Sequence, residues 1–161
     1  MKRGLPWRDS YSVGHIALDE EHQILLQTIN SICNFGQAEE QTALTPLLED
    51  LVTATIRHFE HEDRLLRKIV ALTVTEKFSP DALRHMSESV LVEHIGDHAR
   101  TLEELGSLVQ IYHSEHHMTK DDLCEALENW FIGHAVRSDA HLKSVFQAIQ
   151  TERPALMSDL A

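Results

Sequence analysis

Residues 45–70, TPLLEDLVTATIRHFEHEDRLLRKIV, decide the fold class of this 161-residue chain. Thr45 followed by Pro46 is a helix-start signal, because threonine is a good cap and proline suits the first helical position. Apolar residues then recur at intervals of three and four, which is the period of an amphipathic α-helix. They are Leu47, Leu51, Val52, Ile56 and Phe59. The stretch predicts a helix that begins at Thr45 and ends at about Val70.

Three further segments show the same helical period. The expected helices run from Leu18 to Phe35, from Ser79-Pro80 to about Tyr112, and from a Thr119/Asp122 capping box to just before Pro154. Their expected buried stripes are Ile24, Leu25, Ile29 and Ile32; Leu91, Ile95, Leu102 and Leu105; and Leu123, Leu127, Trp130, Phe131 and Val145. Gly36 is a plausible helix stop. Loops are expected at Thr73–Ser79 and His113–Met118.

Four helices with mostly short connections predict an all-α fold, an antiparallel up-down-up-down four-helix bundle. The length is that of one domain. We expect 1–17 to form an irregular arm, 18–153 the bundle and 154–161 a short tail of one domain, 1–161. The apolar side chains of Trp7, Tyr11 and Val13 are expected to lie across the end of the bundle.

Charge and composition exclude several classes of protein. Fourteen Lys and Arg against 26 Asp and Glu give a formal net charge of -12. No basic cluster could follow a phosphate backbone, so nucleic-acid binding is not expected. No apolar run approaches the roughly 18 residues of a membrane span and no signal segment opens the chain. We expect no membrane insertion and a cytoplasmic location, with Cys33 and Cys124 as buried small apolar residues.

A set of histidines and carboxylates has the spacing of metal ligands. Five of the 12 histidines stand with two carboxylates in the predicted helices. The set comprises His22, His58, Glu62, His94, His98, His134 and Asp139. Seven nitrogen and oxygen donors are too many for one tetrahedral ion but suit two ions bridged by the carboxylates. On donor type alone, iron, manganese and zinc are all chemically reasonable.

The spacing within each helix decides which donors share a face. Residues four apart lie one turn above each other, so the pairs that begin at His58 and His94 each present two donors to one point. His134 and Asp139 are five apart, about 140° around an ideal helix, and need a local π-type widening or an aspartate that reaches sideways. One such pair is usually a surface contact, but a donor set on every helix favours a metal centre.

Other metal-binding interpretations are weaker. The Glu-x-x-His motifs of ferritin-like bundles and the His-Glu-x-x-His motif of zincins are both absent. His113, Glu115, His116 and His117 could take adventitious zinc, but a solvated loop is favoured because no second helix completes the shell. His15, His61, His85 and His141 have no equivalent partner set. His61 is three residues after His58 on the same helix and could support the metal site without being a ligand, but placement at the surface is favoured.

Five motifs form one pattern between Trp7 and about Phe146. They are Tyr11-x-Val13-Gly14, Leu18-Asp19-Glu20-Glu21-His22, His58-Phe59-x-x-Glu62, His94-x-x-x-His98 and Trp130-x-x-x-His134-x-x-x-x-Asp139. This pattern resembles the hemerythrin family, specifically its bacterial branch. The resemblance implies a non-haem di-iron protein that binds dioxygen at a diferrous centre, with no catalytic activity of this domain alone.

The resemblance also implies roles for individual residues. His94, His98 and His134 would bind one iron, His22 and His58 the other, and Glu62 and Asp139 would bridge both. Dioxygen would bind at the open position of the second iron. Leu25, Trp130, Phe131 and Ala135 match positions that line the apolar dioxygen pocket, although ordinary core packing would explain them equally well.

Two departures from the family pattern bear on function. The segment between Glu62 and His94 is longer than in the compact carriers, which predicts an extended loop or added helix around 71–84. Ala135 is smaller than the isoleucine usual at that position and could leave space or a water route beside the metal. The sequence therefore predicts easier autoxidation than in a storage carrier.

The biological use of the site leaves three hypotheses. The leading one is an oxygen- or redox-sensing input domain, so that the chain could be the N-terminal part of a signalling protein such as a diguanylate cyclase or chemotaxis receptor. The alternative is a stand-alone carrier, store or iron buffer. A peroxide or nitric oxide reductase is less favoured, since His61 and Asp97 are the only candidate proton donors near the site. The oligomeric state, including a homodimer, is left open.

Overall fold

The computed structural model describes residues 4–36, 41–75, 88–114 and 118–160, and the described chain is all-α. The helices are α1 (Ile16–Asn34), α2 (Thr45–Thr75), α3 (Glu88–Ser114), α4 (Lys120–Ile132), α5 (Ala140–Glu152) and α6 (Pro154–Asp159). A π-helical segment, Gly133–Ser138, joins α4 to α5, and short 3-10 turns occupy Asp9–Tyr11 and Gln41–Leu44. The π-helical segment makes α4 and α5 one long, interrupted fourth helix.

Two apolar clusters show how the four helices are arranged. The first cluster includes Leu25 of α1, Leu51 of α2, Leu105 of α3 and Leu127 of α4. The second includes Leu18, Leu65, Leu91 and Leu142, from α1, α2, α3 and α5. Along the chain, α1 and α3 run from the second cluster to the first, whereas α2 and the fourth helix run the opposite way. This alternation confirms the antiparallel up-down-up-down bundle.

The helix starts follow local capping chemistry. Helix α1 begins two residues earlier than expected, because the His15 side chain accepts a hydrogen bond from the Leu18 backbone N–H and caps the helix. At α4 the Thr119/Asp122 capping box is present as predicted, and each side chain is bonded to the other residue's backbone N–H. These caps satisfy N–H groups that have no partner inside the helix.

The expected burial is wrong for two residues of the apolar stripes. Ile24 is 52% exposed and Ile56 is 38% exposed. The inward face of α1 passes through Leu18, His22, Leu25, Ile29 and Ile32, at alternating steps of four and three. Ile24 is two residues from His22, about 200° around the helix, so it points outward.

The second helix is longer than its apolar pattern indicated. It continues to Thr75, so the loop expected from Thr73 is wrong for residues 73–75. The remainder of that loop, the Ser79-Pro80 start signal and most of the longer 71–84 segment lie outside the described residues. The third helix also extends two residues into the expected linker, to Ser114.

The C-terminal tail is not irregular. Pro154 is the first residue of α6, where proline is tolerated because its missing N–H would have no helical partner. Leu160 is 1% exposed and belongs to the second apolar cluster, which Leu156 and Met157 also contact. The tail therefore covers one end of the bundle. The arm instead runs along the bundle, because Val13 belongs to the second cluster while Tyr11 belongs to the first and Trp7 packs against the first. The expectation that all three lie across the end of the bundle is therefore wrong for Trp7 and Tyr11.

The two cysteines are buried as expected, but they also pair. Cys33 near the end of α1 and Cys124 in α4 form a disulfide with a Cα–Cα distance of 5.5 Å. The sequence interpretation missed this bond because the two residues are 91 positions apart and become neighbours only when α1 packs on α4. None of the helices in the described part of the chain is both long and apolar enough to cross a membrane.

Candidate metal centre

A layer of polar side chains lies between the two apolar clusters. The structure brings all seven predicted ligands into it, and each is at most 3% exposed. They are His22, His58, Glu62, His94, His98, His134 and Asp139. Because ionisable residues are rarely buried without partners or a metal, this layer is the most unusual feature of the interior.

The donor atoms fall into two overlapping groups. The first group contains His22, His58, Glu62, His134 and Asp139, and the second contains Glu62, His94, His98 and Asp139. Within each group the donor atoms lie within 4.8 Å of one another. Both carboxylates belong to both groups, which is the placement that bridging ligands require.

His58 is at the centre of the first group. Its Nε2 is 3.1 Å from Nε2 of His22, 3.1 Å from Nε2 of His134 and 3.3 Å from Oε2 of Glu62. Asp139 Oδ2 is 3.2 Å from Nε2 of both His22 and His134. The grouping differs from the expected division, because His134 lies with His22 and His58 rather than with the other two histidines. Which ion His134 would bind stays a prediction.

Apart from Asp139, the second group is built on α3 and α2. Glu62 Oε1 lies 2.7 Å from Nε2 of His94 and 3.9 Å from Nε2 of His98. The ring of His98 stacks on that of Phe59, with centroids 4.1 Å apart and planes at 1°. This stacking restricts the orientation of His98.

The π-helical segment resolves the awkward five-residue spacing of His134 and Asp139. A π-turn is wider than an α-turn, so five residues bring the chain back to nearly the same face. The Asp139 backbone N–H donates to the His134 carbonyl over 3.2 Å, the five-residue bond of a π-helix. Of the two routes left open by the sequence, local widening is the one observed.

The protonation pattern of the histidines leaves lone pairs facing each other. His22 Nδ1 donates to the Tyr11 carbonyl (2.9 Å) and His58 Nδ1 donates to the Glu21 carboxylate (3.0 Å). Both acceptors lack protons, so the neutral rings carry hydrogen on Nδ1 and lone pairs on Nε2. The two Nε2 atoms then oppose each other at 3.1 Å. Two lone pairs at this distance repel unless a metal ion or a proton lies between them. Burial alone would lower the pKa of His22, but the Asp139 carboxylate and the Tyr11 carbonyl outweigh burial and raise it, so His22 is the ring that takes up such a proton when no metal is bound.

Several donor atoms in this layer make no hydrogen bond within the protein. Glu62 Oε2, His98 Nε2 and both Asp139 carboxylate oxygens are buried without a hydrogen-bond partner. An uncompensated buried carboxylate oxygen costs free energy, and a divalent cation would remove that cost. The donor set therefore fits a pair of metal ions, with imidazole and carboxylate ligands and no thiolate.

Burial and charge shift the pKa values in this layer in opposite directions. Burial holds the pKa of His134 well below its usual value, and burial also lowers the pKa values of His58 and His94. Burial and the neighbouring Asp139 charge raise the pKa of Glu62 well above its usual value. For Asp139, burial alone would raise the pKa, but the surrounding histidines outweigh burial and lower it.

Two outer carboxylates were missed by the sequence interpretation. Glu21 accepts from His58 Nδ1 (3.0 Å), and Asp63 accepts from His98 Nδ1 (2.8 Å). Each stands next to a predicted ligand in sequence, Glu21 before His22 and Asp63 after Glu62. That adjacency was the available signal, but it could not show which histidine on the neighbouring helix each carboxylate would reach. Such carboxylates orient a ligand histidine and raise its basicity.

An apolar wall borders the layer on one side. Leu25, Trp130, Phe131 and Ala135, the predicted pocket residues, are buried and belong to the first apolar cluster. The rings of Phe131 and His22 have centroids 6.2 Å apart. Trp130 instead faces α3, where its indole N–H donates to the Thr101 carbonyl (2.9 Å) and its ring borders a surface groove of about 910 Å³. Their role as a dioxygen pocket stays a prediction.

The remaining described histidines do not join the two donor groups. His15 is 4% exposed and caps α1. His61 is 22% exposed and donates from Nδ1 to Glu21 (2.8 Å), so it is only partly at the surface. His141 packs edge-to-face on His94 at 5.2 Å between ring centroids. His113 is exposed at the end of α3, whereas His85, His116 and His117 lie outside the described residues.

Sequence comparison finds related proteins over part of the chain. Bacteriohemerythrin of Pseudomonas aeruginosa (strain LESB58) is 31% identical over 62 residues, which cover 38% of this chain and 40% of the relative. Myohemerythrin of Riftia pachyptila is 37% identical over 62 residues, 38% of this chain and 47% of the relative. Each match thus spans less than half of the relative's length. No protein-family model and no solved structure match the chain.

Proposed function

The chain is hemerythrin-like over the matched region, and we propose from this premise that it holds two iron ions and binds dioxygen reversibly. The observation that carries the proposal is the pair of overlapping donor groups that share Glu62 and Asp139. The proposed ligands are His22, His58, Glu62, His94, His98, His134 and Asp139. Two iron ions would supply the electrons for dioxygen binding and accept them back on its release.

The residues of the chain would keep the centre dry and fixed. The layer is enclosed between two apolar clusters, and its ligands are at most 3% exposed. Leu25 and Phe131 would exclude water on the α1 and α4 side, while Glu21 and Asp63 hold His58 and His98 in place. Exclusion of water favours binding over irreversible oxidation.

Metal analysis with an optical spectrum tests this proposal. The full chain is loaded with ferrous iron without oxygen, desalted, and measured before and after exposure to dioxygen. We expect two irons per chain and a charge-transfer band that appears with dioxygen and disappears on its removal. Glu62→Gln should lower iron binding, and Glu60→Gln, an exposed neighbour on α2, should not. One zinc per chain, or no metal, would refute the proposal.

We further propose that the domain senses oxygen or redox state rather than stores oxygen. His134 and Asp139 lie on the segment that continues directly into α5, and α5 contacts α6. A change in the distance between these two ligands would therefore move α5 and α6 relative to the rest of the bundle. A fused or associated output module would read that movement.

Amide hydrogen exchange distinguishes an oxygen-sensing domain from an oxygen carrier. The diferrous and oxygenated forms are compared, and sensing predicts a change in exchange within Ala140–Glu152 and Pro154–Asp159. Unchanged exchange there, with slow autoxidation, would favour the carrier. The reductase stays the less favoured hypothesis. Its two candidate proton donors lie outside both donor groups, with His61 bonded to Glu21 and Asp97 paired with Arg100. The cytoplasmic location stays a prediction, and the oligomeric state stays open.

A further inference from the structure

Glu21 is hydrogen-bonded to two histidines of the neighbouring helix at once. Its Oε2 accepts from Nδ1 of His58 at 3.0 Å, and its Oε1 accepts from Nδ1 of His61 at 2.8 Å. The His58 side chain is fully buried, whereas those of Glu21 and His61 are 29% and 22% exposed. One carboxylate thus connects a proposed metal ligand to a partly exposed histidine that is not a ligand.

The helix geometry explains why this arrangement is rigid. His58 and His61 are three residues apart on α2, so they project from one side of the helix toward α1. The ring of His61 meets that of His15 edge-on, with centroids 6.2 Å apart. His15 is itself fixed, because it caps α1 and packs on Phe146 at 5.0 Å between centroids. His61, the second hydrogen-bond partner of Glu21, is therefore held in place by the fold.

His58 has the most demanding position in the donor layer. Its Nε2 must point at the space shared with His22, His134 and Glu62, from which it is only 3.1 to 3.3 Å distant. Rotation of the ring, or a proton on Nε2, would remove that donor. The other anchored ligands have simpler supports, namely the Tyr11 carbonyl for His22 and Asp63 for His98.

We propose that Glu21 and His61 are positioning residues that act together on His58. Glu21 holds the proton of His58 on Nδ1 and fixes the ring, and His61 holds the second oxygen of Glu21 so that the carboxylate cannot rotate away. The proposal rests on the proposed metal centre and extends it to two residues outside the ligand set. The affected ion is the one that His58 would bind, in the donor group that also contains His22 and His134.

The metal-free protein gives the first test, because the ring proton of His58 can be located without iron. Nitrogen-15 NMR at a pH where histidines are neutral should show His58 protonated on Nδ1 in the wild type. Glu21→Gln should reduce that preference, because its amide can accept from only one of the two histidines. His61→Ala should have a smaller effect in the same direction. Glu20→Gln, exposed and adjacent, is the matched control and should match the wild type.

Metal titration gives the second test. Glu21→Gln should weaken one of two ions by about 10- to 100-fold, the usual effect of removing an outer-shell partner, and leave the other nearly unchanged. His61→Ala should weaken the same ion less. The proposal is overturned if Glu21→Gln keeps the wild-type proton position and both affinities, or if it weakens both ions equally.

The two proposals fail in different ways. If the wild type binds fewer than two ions, the di-iron function fails, while the NMR comparison still decides whether Glu21 and His61 position His58. Helicity by circular dichroism shows whether each variant is folded. If Glu21→Gln does not fold, His61→Ala decides alone, since its side chain is partly exposed. An unchanged His58 proton position in His61→Ala then overturns the joint action.

Discussion

His134 and Asp139 stand at the two ends of a π-helical turn and face each other, with Nε2 and Oδ2 separated by 3.2 Å. The turn absorbs one extra residue, and the buried positions on both sides of it keep the ordinary helical steps. Phe131 lies three residues before His134, and Leu142 lies three residues after Asp139. The segment therefore acts as a one-residue insertion in an otherwise regular helix.

Removing one residue from this turn should preserve the fold. Deletion of Arg137, an exposed residue, would place Asp139 four positions after His134, which keeps both on one face of an α-helix. We expect wild-type helicity and two bound irons, checked by circular dichroism and metal analysis. Insertion of one alanine after Arg137 is the control, because it turns Asp139 and α5 by about 100° and should abolish iron binding. Equal loss in both variants would show that the π-turn itself is required.

Features within one helix could be predicted from the sequence, and features between helices could not. The His134 to Asp139 spacing alone predicted either a widened turn or a sideways reach of Asp139, and the structure has the widened turn. Glu21 to His58 and Asp63 to His98 are contacts between helices, 37 and 35 residues apart, and depend on how each helix is rotated about its axis. The burial of Ile24 was mispredicted for the same reason, because the rotation of α1 about its axis decides which residues face inward. Ile24 is apolar, but it is two residues from the buried His22 and lies on the opposite side of the helix.

Asp63 should support the ion bound on the α3 side. Asp63→Asn replaces the charged acceptor of His98 Nδ1 by a neutral one, so His98 becomes a weaker and less well-oriented donor. We expect about tenfold weaker binding of one ion, measured by anaerobic titration with ferrous iron. Glu60→Gln, exposed on the same helix, is the control. Unchanged affinity in Asp63→Asn would show that the stacked Phe59 ring alone orients His98.

The metal-free protein should lose stability as the pH falls below about 6.5. The pKa values of His134, His58 and His94 are lowered by burial, so below 6.5 the unfolded chain takes up protons that the folded chain does not. Each histidine that stays neutral costs about 1.4 kcal/mol between pH 7.5 and 5.5. The raised pKa values of Glu62 and His22 add protons to the folded state and offset part of this loss.

Urea unfolding of the metal-free protein at pH 7.5 and 5.5 measures this effect. The free energy of unfolding should be lower at pH 5.5, and His134→Gln should reduce the difference. His113→Gln, at an exposed position, is the control and should leave the difference unchanged. Equal stability of the wild type at the two pH values would contradict the prediction.

The Cys33–Cys124 disulfide should stabilise the bundle. It closes a loop across 91 positions, and bonds of this kind typically contribute about 2–4 kcal/mol by restricting the unfolded chain. The urea midpoint of the wild type should fall when a dithiol reductant is added. The double variant Cys33→Ala and Cys124→Ala should start at the lower midpoint and not respond to reductant. Two free thiols in the untreated wild type, counted by mass after alkylation, would show that the bond does not form.

Ala135 should set the lifetime of the oxygenated form. It lies in the π-turn directly after His134, is 2% exposed, and packs in the cluster that contains Phe131. Ala135→Ile would add apolar volume beside the donor layer and exclude water more completely, at a cost of about 1–3 kcal/mol from overpacking. We expect slower autoxidation, followed as the decay of the dioxygen charge-transfer band under air. Ala140→Ile, exposed beyond Asp139, is the control for a general effect of isoleucine on the helix. If Ala135→Ile and the wild type decay at the same rate, the open position beside His134 is not the route by which water reaches the centre.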